Sequence, residues 1–143
     1  MILVDVNLLL YAYDSSSDFH TKAKHWWEKK LSEPQQLVGI SWTTLLAFIR
    51  ITTNHRIFKQ PLNIKEAINH VNNWLERPMV KLLNPTERHW TILSELILET
   101  HSIANHIPDA HLAALAIEHG ATLCSADHDF ARFKKIKWIN PLA

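Results

Sequence analysis

Cysteine and glycine are nearly absent from this chain. The single cysteine, Cys124, excludes an intramolecular disulfide and favours a reducing, cytoplasmic environment. With only 2 glycines and 6 prolines among 143 residues, the chain has little material for flexible linkers. These scarcities predict a helix-rich chain that folds as one domain over residues 1–143.

Long apolar runs and a strong charge of either sign are also missing. No apolar run approaches the roughly 20 residues that a membrane helix needs, so we expect no membrane partner. The amino terminus lacks the basic region of a secretory signal and reaches an acid at Asp5. The net charge of +1 neither requires nor excludes a nucleic-acid partner. A basic cluster near the carboxyl terminus fits a solvated face better than a phosphate site (Arg132, Lys134, Lys135, Lys137).

Short apolar runs alternate with segments of helical periodicity. The runs predict strands at residues 2–6, 37–40, 79–83 and 121–125, and a fifth at 137–139. The periodic segments predict helices at 19–31, 42–51, 64–75 and 86–100, and one from Pro108 to Gly120. Asn63 and Glu66 fit a capping box. This alternation predicts a three-layer α/β domain with a mainly parallel sheet of 4–5 strands flanked by helices.

Three acids stand where such a sheet would bring them together. Asp5 lies at the carboxyl end of the first strand, Asp127 follows the fourth, and Asp109 lies in the first turn of the helix between. Ligands bind at the carboxyl ends of parallel strands. Carboxylates clustered there repel one another, and a hard cation such as Mg²⁺ or Mn²⁺ relieves that repulsion. The pattern suits hydrolysis of a phosphodiester.

Each polar residue in this pattern also has a structural explanation. Asp109 suits the positive end of a helix dipole, and Asp127 and Asp129 suit a turn. Asn7 could orient a ligand or cap a helix, and the hydroxyl of Ser125 could bind a cation or close a turn. The ten histidines show no metal-binding spacing, so we interpret most of them as surface residues. Spacing alone therefore leaves the metal site open.

Four segments of the chain resemble the PIN-domain toxins of VapBC toxin–antitoxin pairs. They are residues 5–12, 108–121, 125–133 and 138–142, in the order in which that family has them. The resemblance implies a PIN fold, dependence on Mg²⁺ or Mn²⁺, endoribonuclease activity on RNA, and inhibition by a cognate antitoxin. It also implies a homodimer, because family members commonly dimerise.

Matching the motifs assigns roles to particular residues. Asp5, Asp109 and Asp127 match the acidic, metal-binding and catalytic positions of the family. Asn7, Ser125 and Asp129 match its supporting polar positions.

One position departs from the family pattern. Ala47 stands where the family usually has Glu, three residues before Arg50. The missing carboxylate leaves open whether one or two metals bind, and Asp129 is the first candidate to compensate. We expect Arg50 to pair with an acid or a phosphate, with a structural ion pair favoured.

Two other functions compete with a ribonuclease toxin. The first is a catalytically weakened PIN fold that only binds RNA or a protein partner, because it has lost the acid at position 47. The second is a phosphatase or phosphotransfer domain, which also places acids at strand ends. Its relatives usually have a second Asp two residues after the first, where this chain has Asn7. The second alternative therefore ranks below the first.

Overall fold

A computed structural model describes all 143 residues and contains one five-stranded parallel sheet. The strand order is β3-β2-β1-β4-β5, and every neighbouring pair is parallel. The strands are Ile2–Val4 (β1), Val38–Ser41 (β2), Val80–Leu83 (β3), Thr122–Cys124 (β4) and Trp138–Ile139 (β5). The predicted mainly parallel sheet is confirmed.

Six α-helices flank the sheet. They are Val6–Tyr13 (α1), His20–Lys30 (α2), Trp42–Thr52 (α3), Ile64–Leu75 (α4), His89–Thr100 (α5) and Ile107–His119 (α6). Short 3-10 helices, Ala104–His106 and His128–Arg132, precede α6 and follow β4. No helix combines the length and the apolar composition that crossing a membrane requires.

Two hydrophobic cores, one on each side of the sheet, make the domain three-layered. Side chains alternate along β1, so that Ile2 and Val4 enter one core and Leu3 enters the other. Helices α1 to α4 cover the first core, which contains Trp27 and Phe48, and α5 and α6 cover the second. Burial on both faces explains why β1 is a continuous apolar run.

The prediction of a strand over residues 2–6 is wrong at its carboxyl end. The strand stops at Val4, and Val6 is the first residue of α1. Asp5 adopts an extended conformation, and its Oδ1 accepts a hydrogen bond from the Val6 amide at 2.8 Å, so it caps the helix. The apolar run had suggested that Asp5 lies within the strand. The structure places it at the junction between β1 and α1.

Other local predictions are confirmed. Asn63 and Glu66 form a reciprocal capping box at the start of α4. Gly120 ends α6 with a φ of 62°, a left-handed conformation that costs glycine little. The helices predicted from residues 19 and 86 begin slightly later, at His20 and His89. Differences of this size are usual at helix ends.

The order of the strands sets the position of the site. From β1 the chain builds outward through β2 to β3, then returns to place β4 on the other side of β1. The direction of winding therefore reverses between β1 and β4. In open parallel sheets this reversal opens a crevice at the carboxyl ends of the two strands, and ligands bind there.

Gly39 in β2 provides a test of how tightly the sheet packs on its second core. A Cβ at this position would overlap Cδ1 of Leu83 and lie 2.8 Å from its Cγ. We expect Gly39→Ala to lower the free energy of unfolding by about 1–3 kcal/mol, because the added methyl overpacks the core. Urea denaturation measures this change.

The matched control is Leu83→Ala, which removes the atoms that the new methyl would meet. In that background Gly39→Ala should cost clearly less than in the wild type. Equal costs in the two backgrounds would contradict the steric explanation.

Candidate functional site

A hydrogen-bonded group of three polar side chains joins the carboxyl ends of β1 and β4. Ser125 Oγ donates to Asp5 Oδ2 at 2.7 Å, and Asn7 Nδ2 donates to Asp5 Oδ2 at 3.2 Å and to Ser125 Oγ at 3.1 Å. The Asn7 Oδ1 accepts from the Ala126 amide at 3.3 Å. Asn7 therefore bridges two strands rather than capping α1, and the group fixes the orientation of the Asp5 carboxylate.

Asp127 is fixed by the turn that follows β4. Its amide donates to Ser125 Oγ at 3.0 Å, and its Oδ1 accepts from the Asp129 amide at 2.9 Å. The Asp127 carboxylate thus stabilises a turn, as one interpretation of the sequence proposed. It also lies close enough to Asp5 and Asp109 to raise the pKa of both.

Asp109 completes an electrostatic cluster with these acids. It lies in the first turn of α6, and its side chain is 21% exposed. Burial is the largest of the effects that raise its pKa to about 6, and the charges of Asp127 and Asp5 act in the same direction. Burial also raises the pKa of Asp5, against the opposing hydrogen bonds from Ser125 and Val6. The three acids that were predicted to converge therefore interact, and their negative charge is only partly compensated.

His106 borders this cluster and was missed by the sequence analysis. It ends the 3-10 helix before α6 and lies beside both Asp109 and Asp129. The prediction that most histidines are surface residues did not single out this one, which is half-buried. The available signal was its position three residues before Asp109, at a helix start, where both side chains face the same side.

Position 47 and its neighbour Arg50 lie on α3, which begins where β2 ends. Ala47 is half-buried, whereas Arg50 is exposed and forms none of the ion pairs of the structure. The structural ion pair favoured for Arg50 is therefore absent. Asp129, the candidate to compensate for Ala47, lies next to His106 and Asp109.

A second polar network, also missed from the sequence, supports α6 from the side of α5. The Glu118 side chain is inaccessible to solvent; it bonds to His89, and its Oε1 accepts from the Thr86 amide and hydroxyl at 2.8 and 2.6 Å. His89 Nε2 lies 2.9 Å from His111 Nδ1. Burial raises the pKa of Glu118, but the bonds from His89 and Thr86 outweigh it and leave the pKa below its usual value. This network anchors the helix that carries Asp109.

With this geometry established, comparison with known proteins identifies the family. The PIN domain profile matches residues 2–136. Ribonuclease VapC37 of Mycobacterium tuberculosis is 43% identical over 143 residues, covering 100% of this chain and 99% of that protein. The chain belongs to the VapC family of PIN domains. Ribonuclease VapC43 of the same species is 38% identical over 142 residues, which cover 99% of this chain and 96% of that protein.

Solved structures agree with this PIN fold. VapBC-1 from nontypeable Haemophilus influenzae superposes with a TM-score of 0.69 at 19% identity, over 100% of both chains. VapC20 of M. tuberculosis, a toxin that cleaves the sarcin–ricin loop, gives a TM-score of 0.68 at 18% identity, over 96% of this chain and 99% of that one. At these identities the similarity demonstrates the three-layer architecture.

The raised pKa of Asp109 predicts how the stability of this PIN domain depends on pH in the absence of metal. The folded protein holds the Asp109 proton more tightly than the unfolded chain does, so ionisation destabilises the fold. We expect the contribution of Asp109 to the free energy of unfolding to fall by roughly 2 kcal/mol as the pH rises from about 4 to above 6. Chemical denaturation in the presence of a chelator, at a series of pH values, measures this loss.

The Asp109→Asn variant isolates this contribution from that of His111, because burial lowers the pKa of His111 and so makes stability depend on pH in the opposite direction. The difference in stability between wild type and Asp109→Asn should widen with pH in favour of the variant. Asp18→Asn, at an exposed acid between α1 and α2, should show no such trend. A difference that does not change with pH would contradict the raised pKa of Asp109.

Proposed function

We propose that this PIN domain is a divalent-metal-dependent endoribonuclease that acts as the toxin of a toxin–antitoxin pair. The observation that carries the proposal is the group of Asp5, Asp109 and Asp127 at the crevice between β1 and β4, with raised pKa values at Asp5 and Asp109. Full-length relatives named as ribonucleases, at 34–43% identity, support the same chemistry. The phosphatase alternative has no comparable support.

The chemistry of the donor set fits Mg²⁺ or Mn²⁺. Carboxylate oxygens and a hydroxyl are the ligands that these hard cations prefer, and the uncompensated charge of the cluster favours a cation. Asp5 and Asp109 would hold the ion, with Asp127 binding directly or through water. When bound, such an ion polarises a phosphate oxygen and lowers the pKa of a water molecule.

The residues of the chain would orient the reaction and move the proton. Ser125 and Asn7 hold one oxygen of Asp5 in place, so the carboxylate loses little entropy on binding a ligand. One carboxylate of the cluster would accept a proton from the attacking water while the oxygen of that water forms a bond to phosphorus. The bond from phosphorus to the leaving ribose oxygen then breaks, and this oxygen takes up a proton from solvent.

A cationic side chain beside the acids supports a polyanionic substrate. Arg132 is half-buried, and its Nη2 lies 3.3 Å from His106 Nε2, next to the acidic cluster. A guanidinium at this place suits a phosphate of the RNA backbone. The contact with His106 distinguishes Arg132 from the exposed lysines of the same basic cluster, among which Lys135 pairs with Glu99 at 2.7 Å.

The proposed partners are an antitoxin and a second copy of the chain. A toxin–antitoxin complex from Klebsiella pneumoniae contains a chain of the same fold, with a TM-score of 0.65 at 19% identity. The chain would accordingly have a cognate antitoxin encoded beside it, and the active toxin would be a homodimer.

A PIN domain that binds RNA or a partner without cleaving it is the competing function. The observation that favours it is Ala47, which lacks the carboxylate that the family usually has at that position. Cleavage that depends on both a metal ion and Asp5 would exclude this alternative.

The Asp5→Asn variant tests the proposed activity. The substitution keeps the shape of the side chain but removes its charge, so cation binding should weaken. We expect cleavage of RNA in Mg²⁺ or Mn²⁺ to fall by about a hundredfold or more, because metal catalysis contributes several kcal/mol. Cleavage should also cease when a chelator is added to the wild type.

Asp18→Asn is the matched control, since Asp18 is an exposed acid beyond the opposite end of α1. It should cleave RNA as the wild type does. Expression of the wild type without its antitoxin should arrest bacterial growth, and expression of Asp5→Asn should not. A folded Asp5→Asn protein that cleaves at the wild-type rate would rule out the mechanism.

Restoring the acid at position 47 tests whether α3 borders the site. If this position faces the cluster, Ala47→Glu adds a ligand and should tighten Mg²⁺ binding by about tenfold, because ligand charge and number set the affinity. Titration calorimetry measures the affinity, and a thermal melt checks the fold. Leu46→Glu, at an exposed neighbour on α3, controls for the added charge. Unchanged affinity in a folded Ala47→Glu protein would mean that α3 does not border the site.

A further inference from the structure

His106 presents one ring nitrogen to two carboxylates. Its Nδ1 lies 3.6 Å from Asp109 Oδ2 and 3.7 Å from Asp129 Oδ2. One ligand atom from each of the three residues lies within 4.8 Å of the others. His106 and Asp109 come from a 3-10 helix and from α6, which precede β4 in the chain. Asp129 comes from the 3-10 helix that follows β4.

The nitrogen between the carboxylates has no hydrogen-bond partner. His106 Nδ1 is buried, and both carboxylate oxygens lie beyond hydrogen-bonding distance of it. Neighbouring ligands of a cation bound at about 2.1 Å are separated by roughly 3.0–3.5 Å. The two separations from His106 Nδ1, 3.6 and 3.7 Å, are slightly wider than this, and all three ligand atoms lie within 4.8 Å of one another, so side-chain rotations would bring them to a cation. The nitrogen has only two long ion-pair contacts with these carboxylates, and a cation between the three groups would replace them with direct ligation.

The other ring nitrogen is compatible with this role. Ligation through Nδ1 requires a hydrogen on Nε2, so the Arg132 Nη2 that lies 3.3 Å away must turn from it. That contact is long, and the buried Nε of Arg132 has no partner of its own. The guanidinium therefore loses little by moving, and the movement frees it for a phosphate.

We propose that His106, Asp109 and Asp129 form a second cation position, which selects a transition-metal ion such as Mn²⁺ over Mg²⁺. This inference rests on the proposed function, because Asp109 also belongs to the all-oxygen site of Asp5 and Asp127. Mg²⁺ keeps its waters and takes oxygen ligands, whereas imidazole nitrogen is a good ligand for transition-metal ions. Such a position does not need the carboxylate that Ala47 lacks.

Titration of the metal-free protein with Mn²⁺ and Mg²⁺ tests this selectivity. We expect the wild type to bind two Mn²⁺ ions, and to bind the ion at His106 about tenfold more tightly than it binds Mg²⁺ there. His106→Phe keeps the ring and removes both nitrogens, and it should lose this Mn²⁺ ion while Mg²⁺ binding at the Asp5 site stays unchanged. His25→Phe, at an exposed histidine of α2, should bind both ions as the wild type does.

Electron spin-echo spectroscopy of bound Mn²⁺ provides a readout that is independent of activity. A directly bound imidazole couples its ¹⁴N nucleus to the electron spin of the ion. The wild type and His25→Phe should show this coupling, and His106→Phe should lack it. A histidine that merely braced the two carboxylates would give no coupling, and its loss would weaken Mg²⁺ and Mn²⁺ binding together. Either of those results would overturn the proposal.

A second variant keeps the test decisive if His106→Phe does not fold. Asp129 is exposed, so Asp129→Asn should fold as the wild type does, and it should weaken the second Mn²⁺ ion alone. Equal Mn²⁺ affinities in wild type and Asp129→Asn would count against the proposed position.

The failure of this inference is distinguishable from the failure of the proposed function. Asp5-dependent cleavage in Mg²⁺ without nitrogen coupling to Mn²⁺ would remove the second position and leave the ribonuclease. Nitrogen coupling in a protein that cleaves no RNA would remove the ribonuclease and leave the second position.

Discussion

The parallel pairing of β1 with β4 is the constraint on which the site depends. Their register matches Val4 with Cys124, so the next residue of each strand, Asp5 or Ser125, emerges at the same edge. The Asp5 amide donates to the Cys124 carbonyl at 3.0 Å, and Ser125 Oγ donates to Asp5 Oδ2 at 2.7 Å. Two parts of the chain that lie 120 residues apart are thereby fixed to each other. A shift of this register by one residue would turn the side chains of the shifted strand to the opposite face of the sheet and separate Asp5 from Ser125.

The fold holds together groups that repel one another. Burial and neighbouring charge raise the pKa of Asp5 and of Asp109, so their ionised forms destabilise the metal-free protein. Hydrogen bonds within the Ser125 group, and the Glu118 network behind α6, keep these carboxylates in position despite the repulsion. Local destabilisation of this kind is typical of functional sites, where the structure is prepared for a ligand that the chain itself does not supply.

The sequence contained the information for the architecture because local patterns encode it. Apolar runs, helical periodicity and the cap at Asn63 each depend on residues close together in the chain. The end of β1 was predicted two residues too late, at Val6 instead of Val4, because Val6 continues the apolar run although it begins a helix. The positions of the three acids followed from the parallel sheet, since the carboxyl ends of parallel strands meet at one edge.

Contacts between residues that meet only in the folded molecule could not be predicted from the sequence. The approach of His106 to Asp129, and of Glu118 to His89, depends on how α6 packs against its neighbours, and no sequence spacing reports that packing. Asn7 illustrates the same limit, since a capping role and a bridging role are compatible with one residue type. The ion pair expected for Arg50 failed because α3 turns this side chain to solvent.

The central claim is that the acidic cluster between β1 and β4 holds a divalent cation. Anomalous diffraction from crystals soaked in Mn²⁺ tests it most directly, because the anomalous signal locates the ion without reference to activity. The account predicts a peak bounded by Asp5, Asp109 and Asp127 in the wild type, and none at that position in crystals of Asp5→Asn. Wild-type crystals without a peak there, soaked at concentrations that saturate binding in solution, would contradict it.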